Sequence, residues 1–263
     1  MENPIVYCYT ATGNSYAVAK AISHQIRAEL LPITHQIPET RKPSAIGFVF
    51  PTFFMGLPGI VEEFVRKISI DGNPYLFGIT TSGPMPGDSL GHLNRILLEK
   101  GKSLHYSSQV RSVANYIAEY NVRLDKTASI IESSKEKTNQ IAQDIVARKT
   151  VRTKGKEGIP SHIFHKLYIK NYPIQDQYFT VSDTCIGCGL CKKVCLADNI
   201  EIQEKKPMFH GKCENCMACI HWCPTKAIQW KTHTQKRNRY HHPDVSAKEL
   251  AAFKLLHIID KQL

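Results

Sequence analysis

The sequence predicts an α/β fold with a parallel sheet over roughly the first 150 residues, followed by a small cysteine-rich domain. Between residues 5 and 149, short apolar runs alternate with amphipathic stretches, which is typical of βα units. Eight of the nine cysteines lie between Cys185 and Cys223, so the second part of the chain has its own chemistry. The 263 residues suffice for two domains, and a content of 42% hydrophobic and 22% charged residues excludes a fibrous or disordered chain.

Strands and helices are predicted to alternate along the first part of the chain. The predicted strands are 4–9, 31–33, 45–50, 75–80 and 104–113, and the predicted helices begin near Ser15 and cover 60–68, 88–99 and 127–148. Pro58 suits a first helical turn, and Gly101 suits the position just after a helix. Near the end of the chain, Ser246 and Glu249 form a capping box, which predicts a terminal helix.

The start of the chain shows no basic stretch followed by an apolar stretch, so we expect no secretory signal and a cytoplasmic location with reduced thiols. The uncharged run 44–61 is as long as a membrane span, but glycines and prolines interrupt it, so we predict no transmembrane segment. Cys8 lies inside an apolar strand and is interpreted as a buried, inert thiol. The other eight cysteines are therefore candidate metal ligands.

The cysteines of the second part form two runs with the spacing C-x2-C-x2-C-x3-C. The first run contains Cys185, Cys188, Cys191 and Cys195, and the second contains Cys213, Cys216, Cys219 and Cys223, at a constant offset of 28 residues. Three closely spaced thiols and a fourth three residues later suit a 4Fe–4S cluster in a loop. Zinc remains the alternative, although zinc sites usually contain CxxC pairs or Cys–His mixtures.

Residues 178–232 resemble the bacterial two-cluster ferredoxins, which carry this motif twice. The resemblance implies a small α+β domain in which the fourth cysteine of each run ligates the other cluster. One 4Fe–4S cluster then has the ligands Cys185, Cys188, Cys191 and Cys223, and the other has Cys213, Cys216, Cys219 and Cys195. The family commonly has proline after each fourth cysteine. Pro224 agrees with this pattern and Leu196 departs from it.

The loop after the first strand is the second candidate site. It runs Thr10-Ala11-Thr12-Gly13-Asn14-Ser15 and precedes a helix, where hydroxyls and free backbone N–H groups can hold a phosphate. An ordinary helix N-cap is the alternative interpretation. No GxGxxG is present, and position 96 is isoleucine where a P-loop ending in Lys102-Ser103 needs glycine, so other nucleotide motifs are not supported.

Residues 3–150 resemble the flavodoxin family, whose loop of this form holds the phosphate of FMN. The resemblance implies a doubly wound parallel sheet in which the side chains of Thr10, Thr12, Asn14 and Ser15 and the backbone of Ala11 and Gly13 contact the phosphate. The loops after the third and fourth strands would flank the flavin ring. They contribute Pro51, Thr52, Phe53, Phe54, Met55 and Gly56 on one side and Thr81, Ser82, Gly83, Pro84 and Gly87 on the other. Neither loop contains the tryptophan that often stacks on the ring. Asn115 and Tyr116, just past the last strand, are weaker candidates for the site, and core or turn roles are favoured for them.

Together the two halves resemble flavodoxin–ferredoxin fusion proteins of electron transfer. We expect an FMN domain at 1–150, a basic linker at 151–177, a two-cluster domain at 178–232 and a carboxyl-terminal extension with a helix at 233–263. The net charge of +11 predicts an acidic redox protein as partner, docking on the linker or on the stretch that contains Lys231, Lys236, Arg237 and Arg239. The oligomeric state stays open.

Two other functions are weighed against this electron carrier. The protein could be a flavin-dependent reductase that passes electrons from the clusters to a small acceptor at an exposed FMN. The basic surface could instead bind nucleic acid, but aromatic residues do not alternate with the basic runs, so no nucleic acid is predicted.

Overall fold

The computed structural model describes residues 3–39, 41–151, 165 and 173–259, and the first half of the chain forms a five-stranded parallel sheet. Its strands are β1 (Ile5–Cys8), β2 (Glu29–Pro32), β3 (Ala45–Pro51), β4 (Tyr75–Ser82) and β5 (Tyr106–Arg111). The spatial order is β2-β1-β3-β4-β5, and every neighbouring pair is parallel. This is the strand order of flavodoxin-like doubly wound sheets, so the predicted fold class is confirmed.

Four helices cover the two faces of the sheet. They are α1 (Asn14–Ile26), α2 (Gly59–Lys67), α3 (Ser89–Glu99) and α4 (Thr127–Val146). Helices α1 and α4 pack together on one face, and α2 and α3 on the other. Because side chains alternate along a strand, β1 supplies both cores. Val6 and Cys8 belong to the first core, and Ile5, Tyr7 and Tyr9 belong to the second.

The predicted elements all form, with shifted ends. Strand β4 continues to Ser82, because its register with β5 pairs Ser82 with Arg111. Strand β2 begins at Glu29, which lies opposite Ile5 of β1. These differences matter for the site, because the extension of β4 fixes the start of the loop that follows it.

The cysteine-rich part is a small α+β unit. It contains the antiparallel pair β6 (Phe179–Val181) and β9 (Ile228–Trp230), the antiparallel pair β7 (Ile200–Gln203) and β8 (Lys206–Phe209), and the short helices α5 (Leu190–Lys193) and α6 (Ala218–His221). Helix α6 repeats α5 at the 28-residue offset of the cysteines. Left-handed backbone recurs at the same offset, with Gly189 (φ 68°) matched by Met217 (φ 61°).

The carboxyl-terminal helix α7 (Ala247–Ile259) packs on the flavodoxin-like domain. Val245, Leu250 and Phe253 belong to the same core as α1 and α4, and the ring of Phe253 lies 4.9 Å from that of Tyr16. The terminal segment is therefore part of the first domain's packing. Most of the predicted basic linker, residues 152–164 and 166–172, lies outside the described residues.

Candidate functional site

A cavity of about 630 Å³ opens at the carboxyl ends of the strands. It lies beside β1 and β3, where the connections of a doubly wound sheet run to opposite faces and where such folds bind their ligands. Its volume falls in the range of small-molecule and cofactor sites.

Most of the predicted flavin residues line this cavity. They are Thr10, Ala11, Thr12, Asn14, Ser15, Pro51, Thr52, Phe53, Phe54, Met55, Thr81, Ser82, Gly83 and Pro84. Three predicted glycines are not in the wall. Gly13 is the N-cap of α1 in left-handed conformation, Gly56 faces the ring of His165, and Gly87 backs onto the main chain of Met55. Their role is to let the chain turn or approach closely.

The loop after β5 forms a further side of the cavity, for which the sequence offers only Asn115 and Tyr116, as weaker candidates. This loop contributes Ser112, Val113, Ala114, Asn115, Tyr116, Glu119 and Tyr120. Tyr116 meets Phe54 edge to face, with ring centroids 4.9 Å apart. Asn115 and Tyr116 are therefore wall residues. The signal for them in the sequence is their position just past the carboxyl end of a strand, beside the loops that follow β3 and β4.

The loop from Thr10 to Ser15 is buried and opens α1, whose first N–H groups carry the positive end of the helix dipole. Ser15 Oγ lies 2.7 Å from Thr81 Oγ1, which joins this loop to the end of β4. The buried Thr10 hydroxyl has no hydrogen-bond partner within the described part of the chain. A helix N-terminus with hydroxyls and an unused buried donor fits a phosphate.

The eight cysteines of the second part come together in the two crossed quartets. Electrostatic effects on the thiol of Cys191 come from Cys188, Cys223 and Cys185. Those on Cys219 come from Cys213, Cys216 and Cys195, with the smallest from Cys191 of the other set. Cys185, Cys188, Cys191 and Cys223 also share one small pocket. We call these sets quartet I (Cys185, Cys188, Cys191, Cys223) and quartet II (Cys213, Cys216, Cys219, Cys195).

Burial makes several of these thiols hard to ionise. Together with the charges of neighbouring thiols, burial raises the pKa of Cys191 to about 11 and that of Cys216 to about 12. Burial also raises the pKa of Cys213 and Cys219 well above the usual value. Bound iron would stabilise the thiolates that this environment otherwise disfavours. Within residues 3–39, 41–151, 165 and 173–259, no three His, Cys, Asp or Glu side chains converge closely enough to form a site for a single metal ion.

Backbone donors surround the cysteine sulfurs. The N–H of Asn215 donates to Cys213 Sγ over 3.2 Å, and the N–H of Ala227 donates to Cys223 Sγ over 3.2 Å. Donors of this kind stabilise charge on cluster sulfurs and tune reduction potentials. Each quartet thus offers four thiols and a backbone N–H donor, which is the kind of donor set that a 4Fe–4S cluster takes.

Quartet II and the cavity share a wall. Cys216 and Asn215 line the cavity directly, although they lie between about 100 and about 200 residues from its other walls in sequence. The side-chain amide of Asn215 donates to the hydroxyl of Tyr116 over 2.8 Å and to Gln175 Oε1 over 3.0 Å. On the other side, the side chain of Tyr9 lies close enough to lower the pKa of the Cys216 thiol. These contacts bring a cysteine of quartet II against the predicted flavin site.

Glu214 adds a second joint between the two halves. Its carboxylate lies at the start of α2, where Oε1 comes within 3.3 Å of the space that a Cβ on Gly59 would occupy. Burial raises the pKa of Glu214 to about 7, while the backbone N–H groups of Ile60 and Gly59 lower it. Glu214, between Cys213 and Cys216 of quartet II, therefore lies against the first turn of a helix of the flavodoxin-like domain.

The two quartets differ in exposure. Quartet I lies near the surface, where Cys188 is exposed and Ile186 and Met208 are 66% and 47% exposed. In quartet II, Cys219 is buried and the other three cysteines are partly buried. Exposed lysines stand near quartet I, at positions 192, 193, 205, 206 and 226.

Two residues of the predicted docking stretch have internal partners. Arg237 donates to the carbonyl of Ile117 over 2.7 Å, and Arg239 donates to Gln229 Oε1 over 2.9 Å. Both arginines are half-buried, and burial lowers the pKa of Arg239. Arg237 therefore joins the carboxyl-terminal segment to the loop after β5, and Arg239 joins that segment to the cysteine-rich part.

No helix within the described residues is long and apolar enough to cross a membrane.

No protein-family model and no curated protein matches the chain. Among solved structures, a flavodoxin, WrbA-like protein from Agrobacterium tumefaciens is 17% identical, with a TM-score of 0.40, over 57% of this chain and 100% of its own. A flavodoxin from the domain Archaea is 16% identical, with a TM-score of 0.35, over 54% of this chain and 98% of its own. Likenesses this distant support no inference about function.

Proposed function

We propose that this protein is an electron carrier that holds two 4Fe–4S clusters on quartets I and II and FMN in the cavity. Each cluster exchanges one electron and the flavin one or two, so the three groups together can split or gather electrons between protein partners. The observation that carries the proposal is the shared wall: Cys216 of quartet II lines the cavity whose loops match the flavodoxin pattern. The role of the protein chain is to hold the clusters and the flavin in fixed positions next to one another.

Different residues of the cavity would bind the phosphate and the ring of FMN. Thr10, Thr12 and Ser15 offer hydroxyls to the phosphate, beside the N–H groups that open α1. Phe54 and Tyr116 enclose the wider part of the cavity with aromatic surface, which suits the flavin ring in place of the missing tryptophan. The same side chains exclude water from the region next to Cys216.

The two quartets lie at different positions along the proposed path of the electrons between the partner protein and the flavin. Quartet II adjoins the cavity, and quartet I adjoins solvent through Cys188. The chain therefore presents quartet I to an external protein and keeps quartet II for the flavin side. This order follows from which cysteines are exposed and which line the cavity.

The first test is the content of iron, acid-labile sulfide and FMN in anaerobically purified protein. We expect about eight iron, eight sulfide and one FMN per chain, with a visible spectrum that bleaches with dithionite. Iron without flavin, and no FMN uptake on titration, would contradict the flavin half of the proposal. Zinc with little sulfide would contradict the cluster half. Many turnovers on a small acceptor with only reduced ferredoxin as donor would instead favour the flavin reductase.

We further propose that the acidic redox partner docks around quartet I. The face combines the exposed apolar side chains of Ile186 and Met208 with the five lysines. Asp183, Glu201 and Glu204 are exposed carboxylates beside them. Asp183 pairs with Lys206 over 3.0 Å, which leaves Lys205 and Lys226 to attract an acidic surface. An apolar centre with a charged rim is typical of transient redox interfaces.

Charge reversal tests this docking face. Lys205→Glu with Lys226→Glu should slow association with a reduced acidic ferredoxin by about tenfold at low salt, because steering by charge is lost. The difference from wild type should vanish at high salt. Lys126→Glu, exposed at the other domain, is the control and should leave the rate unchanged. Equal rates for the double variant and wild type at low salt would place docking elsewhere.

A further inference from the structure

The loop from Thr10 to Ser15, which we call the phosphate loop, accepts hydrogen bonds from two segments that are remote from it in sequence. Trp222 Nε1 donates to the carbonyl of Ala11 over 3.0 Å, and the backbone N–H of His242 donates to the carbonyl of Thr12 over 2.8 Å. Trp222 immediately precedes Cys223 of quartet I, and His242 lies in the carboxyl-terminal segment. In both hydrogen bonds a carbonyl of the loop is the acceptor, so these two contacts do not use the N–H groups of the loop.

The third contact acts on a side chain that faces the cavity. Tyr240 donates from its hydroxyl to Asn14 Oδ1 over 2.7 Å, while Asn14 Nδ2 donates to the carbonyl of Val113 over 3.1 Å. An amide nitrogen carries two hydrogens, so one N–H of Asn14 remains for a ligand. Tyr240 therefore fixes which way the amide points and which of its atoms can serve the phosphate.

Tyr240 is itself held by the cysteine-rich part. Its backbone N–H donates to His221 Nδ1 over 3.1 Å, and His221 Nε2 donates to the carbonyl of Asn115 over 2.8 Å. His221 lies in the short helix α6 between Cys219 and Cys223. The tyrosine is thus positioned by the same segment that supplies one ligand to each quartet.

The terminal segment also occupies the space next to the loop's glycine. A Cβ on Gly13 would lie 3.1 Å from Val245 Cβ and 3.2 Å from His242 Cβ. Gly13 also has φ 95°, a conformation that favours glycine. Residues 242–245 therefore pack directly against the turn at Gly13, where a larger residue would be crowded.

We propose that Tyr240 and Trp222 are positioning residues for the flavin phosphate, so that the loop gains its phosphate affinity only with both remote segments in place. The inference rests on the proposed FMN site and extends it to residues outside the flavodoxin-like sequence. Tyr240 acts through the amide of Asn14, and Trp222 acts through the main chain at Ala11. Neither residue lines the cavity itself.

The test compares two flavins that differ by the phosphate. FMN and riboflavin are titrated into flavin-free protein with its clusters intact, for wild type, Tyr240→Phe and Trp222→Phe. Loss of one hydrogen bond that orders a ligand group should raise the Kd for FMN about five- to tenfold. The Kd for riboflavin should stay at the wild-type value, because riboflavin carries no phosphate.

Two further variants separate positioning from general damage. Tyr75→Phe removes an equivalent bond, from the tyrosine hydroxyl to the carbonyl of Lys149, in a part of the sheet outside the cavity wall. It should leave both Kd values unchanged. In an Asn14→Ala background, Tyr240→Phe should have no further effect on FMN, because the side chain through which it acts is gone.

Each outcome decides the inference. An FMN-specific loss in both variants, which for Tyr240→Phe disappears in the Asn14→Ala background, supports it. Equal weakening of FMN and riboflavin, an unchanged FMN Kd, or a loss for Tyr240→Phe that persists without Asn14 overturns it. Failure of the wild-type protein to bind either flavin contradicts the proposed FMN site, and the inference falls with it.

Discussion

Gly47 of β3 lies opposite Phe77 of β4, and the ring of Phe77 covers the place where a side chain on Gly47 would be. A Cβ there would come within 2.1 Å of a ring carbon. We predict that Gly47→Ala destabilises the protein by about 1–3 kcal/mol, because the close-packed core cannot admit the methyl group. The measurement is the Tm at one fixed scan rate, where a fall of several degrees is expected.

A second substitution checks the cause. Phe77→Leu makes room beside position 47, so Gly47→Ala should cost less in that background than in wild type. If the two substitutions simply add, the ring does not cause the loss. A Gly47→Ala protein that melts with wild type would contradict the prediction outright.

His165 gives the stability a pH dependence. Its Nδ1 donates to the carbonyl of Phe54 over 3.3 Å, and its pKa is lowered by burial and by His92, while Glu62 raises it. The unfolded chain takes up a proton near pH 6.5 that the folded state refuses, so stability falls as the pH drops below that value. One such group removes at most about 1.4 kcal/mol per pH unit.

The corresponding experiment is a pair of melts at pH 7.5 and pH 5.5. His165→Asn keeps a donor but cannot take up a proton, so its Tm should fall less between the two pH values than that of wild type. His24→Asn, exposed on α1, is the control and should behave as wild type. An unchanged pH dependence in His165→Asn would show that other groups carry it.

At the scale of elements, α7 depends on its capping box. Ser246 Oγ accepts from the N–H of Glu249 over 3.1 Å, and Glu249 Oε2 accepts from the N–H of Ser246 over 3.3 Å. Ser246→Ala should cost about 1 kcal/mol, because helix N–H groups lose their partner. The Tm measures this, with Ser133→Ala at an exposed position of α4 as control. Equal Tm values for both variants would mean that the box does not stabilise α7.

The order and type of the elements could be predicted, because each depends on local pattern. The apolar run of β3, the proline before α2 and the Ser246 capping box are all signals within a few residues. Strand ends were less predictable, since they depend on partners. Ser82 belongs to β4 because Arg111 lies opposite it, about thirty residues away in sequence.

At the scale of the whole molecule, the sequence indicated each site but not how the sites meet. The loop from Thr10 to Ser15 and the two cysteine runs are motifs, readable one at a time. That Cys216 lines the cavity, and that Tyr240 holds Asn14, depends on segments more than 200 residues apart coming together. Such contacts follow from packing of the domains, which no local pattern encodes.

The two halves of the chain also share their cores. Leu196 and Ala197, beside a cysteine of quartet II, pack in the core of α2 and α3, and Trp222 packs in the core of α1 and α4. Neither half therefore buries its apolar surface without the other. Because cooperative unfolding follows shared burial, we predict that the protein melts as one unit.

Two signals recorded during one melt test this prediction. Free FMN fluoresces strongly when it leaves a protein, and intact clusters absorb visible light, so flavin release and cluster loss can be followed together. Both should occur at the same Tm. Glu214→Ala, which removes the carboxylate at the start of α2, should lower both midpoints by the same amount, because it weakens a joint on which both halves depend. Cluster loss well below the temperature of flavin release would show two independent domains, each with its own stability.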